Sequence, residues 1–229
     1  LYAVARVWEQ AVMDRSIAMR SAYGARYNSN PWFEFGSVSG ETAIGAPSST
    51  GYSATALVVQ LKRAMTAAAT AWPNTLFRLP ANFCGYTGCM EDLFAHCRTL
   101  RNCAIGGPDP ELPLPVETVT RTIQANRYFR GLDGGTDLRG IIPWVGETQD
   151  LGYVNTVAKR CCEPASDFVT YQRDTMHNSY KVFIRRDGTG GAPGDTNVWT
   201  TLLSYLAATP LNDLVYQHGC PSNMGSCTP

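Results

Sequence analysis

The segment from Ser53 to Pro73, SATALVVQLKRAMTAAATAWP, is the stretch that decides how this chain folds. Its apolar residues at positions 57, 61, 65 and 68 have the three- and four-residue spacing that places side chains on one face of a helix. Serine is a preferred residue before the first helical position, and proline cannot continue a helix. The segment therefore predicts a helix from Ala54 to Trp72 whose Ala-rich surface packs closely on the helix before it.

Further helices and a few short strands are predicted around this segment. An amphipathic N-terminal helix is predicted over residues 1–27, where positions 1, 4, 8, 12 and 19 are apolar. Other helices are predicted over residues 89–103, 116–130, 197–208 and 210–217, and strands over residues 32–35, 141–145 and 180–186. Residues 36–53 are rich in Gly, Ser and Thr and are expected to form a flexible loop. The fold class we predict is α+β, as one mostly helical domain over residues 1–229 with a small β-sheet and long Gly/Pro loops.

The cysteine content predicts that disulfide bonds hold this domain together. The chain has eight Cys, an even number, and cytosolic proteins rarely use so many because their thiols are kept reduced. They are Cys84, Cys89, Cys97, Cys103, Cys161, Cys162, Cys220 and Cys227. We expect four disulfides, which places the protein in a secreted, extracellular or periplasmic location. We also expect that a signal segment preceding Leu1 has been removed.

Charge and hydropathy argue against nucleic acid and against a membrane span. The chain has 19 basic and 19 acidic residues, and the basic ones are scattered rather than collected into a phosphate-binding surface. Its longest apolar stretches fall far short of the roughly 20 residues that cross a bilayer. We therefore expect partners that are proteins, including other copies of the chain.

Four segments carry residues that could form a metal or phosphate site. Cys84, Cys89, His96, Cys97 and Cys103 fall close together but lack the C-x2-C spacing of a zinc site, so disulfides are favoured. Asp133 with Asp137, and Asp109 with Glu111, offer oxygen ligands for a hard cation without matching a calcium loop. Residues 188–194 form a Gly-rich loop after a strand, but the spacing departs from that of phosphate-binding loops. We predict no metal and no cofactor.

Two sets of residues are candidates for hydrolytic chemistry. Each of the three His has an acid nearby in sequence, in the pairs Asp92 and His96, Asp174 and His177, and Asp213 and His218. An acid can orient a His that acts as a general base. Glycoside hydrolysis instead needs two carboxylates, and Glu34, Glu41, Glu147 and Asp150 are expected in loops rich in aromatic residues and Gly. These residues define the alternative of an enzyme.

The order of the elements leads to a different first hypothesis. An opening helix followed by a disulfide-bearing globular region resembles the layout of pilus-like surface subunits. That layout implies an exported structural or binding protein, with self-assembly at the cell surface as one form of it. The alternative is a secreted hydrolase, either glycosidase-like or dependent on a His/Asp pair.

Overall fold

The computed structural model describes residues 5–33, 35–38, 51–81, 88–108, 128–132, 135–148, 165–178, 180–183, 195–210 and 224. The chain folds as two compact units. Unit 1 comprises Leu1–Gly106, Gly140–Ile142 and Cys220–Pro229, and unit 2 comprises Gly107–Arg139 and Pro143–Gly219. The single domain expected from the sequence stays a prediction.

Helices alternate with strands along the chain. Unit 1 contains α1 (Gln10–Tyr27), β1 (Phe35–Ser37), α2 (Ala54–Ala71), β2 (Leu76–Pro80), α3 (Cys89–Arg98) and most of β3 (Cys103–Pro108), whose last two residues are assigned to unit 2. Unit 2 contains β4 (Trp144–Thr148), α4 (Ala165–Thr170), a π-helix over Tyr171–Thr175, β5 (Tyr180–Phe183) and α5 (Asp195–Ala208). The predicted combination of helices with a small β-sheet is confirmed.

The strands pair in parallel in both units, a feature that the sequence analysis did not predict. In unit 1, β2 lies between β1 and β3, and Arg78 of β2 is in register with Ser37 on one side and Ala104 on the other. In unit 2, β4 pairs with β5, and Val145 is in register with Tyr180. Parallel neighbours require a long connection between them, which helices supply here. The carboxyl ends of paired strands therefore lie at the same edge within each unit.

Helix α2 forms as its sequence predicts. The Ser53 hydroxyl accepts a hydrogen bond from the backbone N–H of Ala56 at 3.2 Å, which satisfies a donor that the first turn leaves open. The predicted apolar face is buried, at Leu57, Leu61, Met65 and Ala68. Burying each of the larger of these side chains contributes about 2 kcal/mol, so packing rather than helix propensity stabilises α2.

The ring of Trp72, at the end of α2, is enclosed by two glycines of other elements. Trp72 is 2% exposed, and its indole N–H donates to the backbone carbonyl of Arg20 in α1 at 3.0 Å. A Cβ atom added to Gly24 of α1 would lie 2.3 Å from the ring, and one added to Gly36 of β1 would lie 2.5 Å from it. The close packing of α1 on α2 therefore depends on the absence of side chains at these two positions.

The helix predicted over residues 89–103 is wrong in its last part. α3 ends at Arg98, Asn102 adopts a left-handed backbone conformation with a φ of 59°, and Cys103 begins β3. A disulfide joins Cys97 at the end of α3 to Cys103, and both residues are fully buried. This disulfide is one of the predicted covalent links, and Cys89 is also disulfide-bonded.

Replacing Cys97 and Cys103 together by Ala is expected to lower the free energy of unfolding by about 2 kcal/mol. The two residues are six positions apart, so the bond closes a small loop and restricts the unfolded chain less than a long-range bond does. Urea denaturation without reductant measures the difference from the wild-type protein. An unchanged denaturation midpoint would show that the bond does not contribute to stability.

The N-terminal segment differs from the prediction in where its helix begins. α1 starts at Gln10, because Glu9 is in an extended conformation and the residues before it form turns closed by local backbone hydrogen bonds. Trp8 is buried ahead of the helix, whereas Met19, placed on the predicted apolar face, is 49% exposed. Most of the loop predicted over residues 36–53 lies outside the described residues. None of the helices in the described part of the chain is long and apolar enough to cross a membrane.

Candidate functional site

The carboxyl end of β4 carries one of the predicted acids. Glu147 is in register with Val182 of β5, and Thr148, the last residue of β4, is in register with Phe183. Glu147 was expected in a loop, and this expectation is wrong because the residue lies within a paired strand. Parallel strands flanked by helices bind their ligands beyond the carboxyl ends of the strands, and Glu147 is the last residue but one of β4.

The backbone of β4 is tightly held just before Glu147. Trp144 and Val145 are buried, and the ring of Trp144 packs 4.9 Å from that of Phe129. Gly146 has no room for a side chain, because a Cβ atom there would lie 2.3 Å from the side-chain nitrogen of Asn178. The backbone of β4 therefore has little freedom to shift at Gly146.

The residues that fix Gly146 belong to the π-helix and to the turn that follows it. Met176 donates its backbone N–H to the carbonyl of Tyr171 at 3.1 Å, five residues back, and Asn178 donates to Gln172 at 2.9 Å. Between them, His177 has a φ of 53°, a left-handed conformation that is uncommon outside Gly. Since His177 precedes β5, this turn lies at the amino end of the strand, opposite to the edge where Glu147 lies.

An arginine connects the turn before β4 to the end of the π-helix. The Arg139 guanidinium donates from Nε to Oδ1 of Asp137 at 2.9 Å and from Nη1 to the carbonyl of Thr175 at 3.0 Å. The side-chain hydrogen bonds from Arg139 hold the pKa of Asp137 below its ordinary value. Partial burial acts in the opposite direction, while the Arg139 backbone N–H and the charges of Arg139 and His177 lower the pKa further. These contacts join the turn before β4 to the end of the π-helix, at the amino ends of the strands of unit 2.

Changing Asp137 to Asn is expected to lower the free energy of unfolding at pH 7 by up to about 1 kcal/mol, since the carboxylate is 44% exposed and solvent weakens the pair. Because the folded-state pKa of Asp137 is depressed, its contribution is present above the pKa of an unfolded Asp, near 4, and is lost as the pH falls through the folded value. Denaturation curves of both proteins at pH 7 and near pH 2 measure this. A difference that persists at the acidic pH would contradict the assignment.

Two acids bear on His177. Asp174, its predicted partner, accepts two hydrogen bonds from the side chain of its neighbour Arg173, at 2.5 and 2.7 Å. The charge of His177 acts on Asp137, which is distant in sequence. The pairing of Asp174 with His177 stays a prediction.

His96 of α3 is engaged with α2. Its Nε2 lies 3.1 Å from the carbonyl oxygen of Lys62, which can only accept, so Nε2 carries the proton and donates. The Thr66 hydroxyl donates to the same carbonyl and lies 3.0 Å from Nε2. His96 thus does not remove a proton from Thr66. Asp92, the acid expected beside His96, forms an ion pair with Lys62 at 3.2 Å.

These residues line an open groove on unit 1. The groove has a volume of about 570 Å³, and His96, Lys62 and Thr66 line it together with Ile17, Val59, Arg63, Ala67 and Thr70. Both of its cations face acids, since Arg63 pairs with Asp14 at 2.6 Å. The groove therefore has no net charge to select a ligand, and its polar contacts hold the three helices together.

A buried arginine, missed by the sequence analysis, lies in β2. Arg78 is 9% exposed, its guanidinium lies 5.9 Å from the centre of the Phe35 ring, and its register partners are Ser37 and Ala104. Neighbouring residues of a strand point to opposite faces of the sheet. Gly36 of β1 faces Trp72, at the end of α2, and Arg78 is in register with the next residue, Ser37. Arg78 therefore projects from the other face of the strands. Charged side chains are seldom buried in a purely structural layer. A charged residue in the otherwise apolar run Leu76–Pro80 was the signal in the sequence.

Several predicted residues lie outside the described part of the chain. They are Glu34, Glu41, Asp109, Glu111, Asp133, Asp150, Asp213 and His218, with Cys84, Cys161, Cys162, Cys220 and Cys227 and the whole loop 188–194. Among the described residues, no group of three His, Cys, Asp or Glu side chains is placed to hold a metal ion. Cys97 and Cys103 are bonded to each other and so do not act as thiolate ligands.

No protein-family model, no curated protein and no solved structure matches this chain. The geometry of the site is therefore the basis for proposing a function.

Proposed function

We propose that this chain is an exported glycosidase-like hydrolase that uses carboxylates at the carboxyl edge of its parallel strands. The observation that supports this most is the position of Glu147 at the carboxyl end of β4, the edge at which parallel strands with helical connections present their reactive groups. The disulfide between Cys97 and Cys103 supports an oxidising compartment, and hence export.

The reaction requires two carboxyl groups and water. One, as an acid, gives its proton to the oxygen of the leaving sugar while the glycosidic carbon–oxygen bond breaks. The other stabilises or attacks the carbon, and water supplies the new hydroxyl group and restores the protons. Glu147 is our first carboxyl group. The second is expected to be Asp150, which comes two residues after β4 in the sequence.

The described histidines do not favour a His-dependent hydrolase. His96 donates through Nε2 to a backbone carbonyl within unit 1, and His177 lies at the amino end of β5. Both positions are those of structural residues. The self-assembling surface subunit stays a prediction, and light scattering over a range of protein concentrations tests it.

A screen of polysaccharides tests the proposed reaction. The purified chain is incubated with neutral and acidic polysaccharides, and new reducing ends are measured beside a Glu147→Gln variant, which removes the charge but keeps the shape. We expect reducing ends from at least one class of polysaccharide with the wild-type chain and a large loss with the variant. A screen in which wild type and variant release the same amounts would overturn the proposal.

A further inference from the structure

The end of α1 and the turn after it present an aromatic surface formed by Tyr23, Arg26, Tyr27 and Trp32, which we call the α1 aromatic surface. Trp32 is 90% exposed and Tyr23 is 49% exposed, whereas large apolar side chains normally avoid such exposure when they have no partner to meet. The rings of Tyr23 and Tyr27 lie 6.3 Å apart, one helical turn from each other. The surface belongs entirely to unit 1.

The backbone that carries this surface is held in place. The Trp32 backbone N–H donates to the side-chain oxygen of Asn30 at 2.9 Å, and Phe33 donates to the backbone carbonyl of Asn30 at 3.0 Å. The Phe33 ring packs 5.6 Å from that of Tyr27 and 6.1 Å from the buried ring of Trp72. The backbone that carries the surface and the ring of Tyr27 are thus anchored to the core through Phe33, so a ligand would have to order only the exposed side chains.

Between Asp14 and Glu34 the charged side chains are all basic. From Arg15 to Phe33 the sequence has three Arg and no acid. Arg20 is turned toward β1, where it donates to the carbonyl of Ser37 at 3.1 Å, but Arg26 is exposed and lies 5.4 Å from the centre of the Tyr27 ring. The surface therefore combines exposed rings with a cation and is complementary to a ligand that has flat apolar faces and negative charge.

We propose that the α1 aromatic surface binds an anionic polysaccharide. Sugar rings have apolar faces that stack on Trp and Tyr, and the carboxylate or sulfate groups of an acidic polysaccharide pair with Arg26. A second copy of the chain fits less well, because a two-fold contact through this surface would bring the two Arg26 side chains together. A lipid surface fits less well too, because Met19 is the only exposed large aliphatic side chain beside the rings on α1.

The surface consists of residues of unit 1, whereas Glu147 belongs to unit 2. Binding here would hold the polymer without taking part in bond cleavage. The inference goes beyond the proposed function and does not require that the chain be a hydrolase.

Affinity electrophoresis in native gels tests the inference. Gels contain no polymer, sodium polygalacturonate or a neutral galactomannan, and the variants are Trp32→Ala and Arg26→Gln. A matched control is Leu203→Ala, which removes a side chain that is 48% exposed on α5 of unit 2. We expect polygalacturonate alone to retard the wild type and the control, salt to weaken the retardation, and each of the two variants to lose about fivefold or more in affinity.

Four outcomes would overturn the inference. They are an unretarded wild type, equal retardation in galactomannan, a Trp32→Ala variant that binds like the wild type, and a preference for anionic phosphatidylserine vesicles over polygalacturonate in a sedimentation assay. A fifth outcome is dimers that form with rising protein concentration and are abolished by Trp32→Ala, which would assign the surface to self-assembly. The gels report binding and not the release of reducing ends, so a failure here is distinguishable from a failure of the proposed hydrolysis.

Discussion

Changing Gly24 to Ala is expected to lower the free energy of unfolding by about 3 kcal/mol, although Ala is the better helix former by about 1 kcal/mol. The added Cβ atom would lie 2.3 Å from the Trp72 ring and 2.5 Å from the carbonyl oxygen of Ala71. The ring has no room to move away, because Gly36 contacts it on β1 and its N–H is bonded to Arg20. α1 would have to move off α2, which would open the core of unit 1.

A matched change at the neighbouring position separates packing from helix propensity. Ala25 is exposed on α1, so Ala25→Gly removes a methyl group without altering the contact with Trp72. We expect a loss of about 1 kcal/mol from this variant, the ordinary cost of Gly in a helix. Urea denaturation measures both proteins. A Gly24→Ala variant that is as stable as the wild type would show that α1 and α2 do not need this close approach.

The contrast between α2 and its surroundings shows which parts of the fold local sequence determines. α2 was predicted with nearly its observed limits, because its cap, its apolar face and Pro73 all lie within the segment itself. The role of Gly24 could not be predicted in the same way. On its own a Gly weakens a helix, and its value here comes from Trp72, which is distant in sequence.

The limits of the strands were predicted less well than those of α2, and their pairing was not predicted. Pairing joins residues that are far apart in the chain. Ile141 to Val145 was predicted as a strand, whereas β4 is Trp144–Thr148, so the strand begins only after Pro143. The end of α3 was misplaced because the left-handed conformation at Asn102 and the disulfide of Cys103 leave no mark on helical periodicity. The parallel direction of the strands likewise depends on how the connections pack.

The candidate site was predicted in part. Glu147 was selected as one of four acids, but its location at the end of a strand is visible only in the fold. Spacing along the chain did not predict the basic partners of these acids, because long Lys and Arg side chains reach them from other positions, as Lys62 does for Asp92. Arg78 was missed because a single Arg in a short apolar run is usually interpreted as an exposed position, whereas here it is buried.

Replacing Glu147 with Gln is expected to reduce the rate of polysaccharide hydrolysis by about 10³-fold, the usual range for the loss of a general acid or base. The fold should be unaffected, because Gln has the same shape and the packing of β4 rests on Trp144, Val145 and Gly146. The rate is measured on the polysaccharide that gives the largest signal with the wild type, and thermal denaturation checks the fold. Glu91→Gln is the matched control, since Glu91 is exposed in the first turn of α3.

A second variant distinguishes the two roles that Glu147 can have. A synthetic aryl glycoside has a leaving group that needs no protonation. If Glu147 is the acid, Glu147→Ala should cleave this substrate at a rate much nearer to that of the wild type, because departure of the aryl group does not depend on the acid. If Glu147 is the nucleophile, both substrates lose activity, and added azide restores cleavage by forming the bond to the sugar carbon in its place. If Glu147→Gln keeps the wild-type activity, the carboxyl end of β4 takes no part in the mechanism.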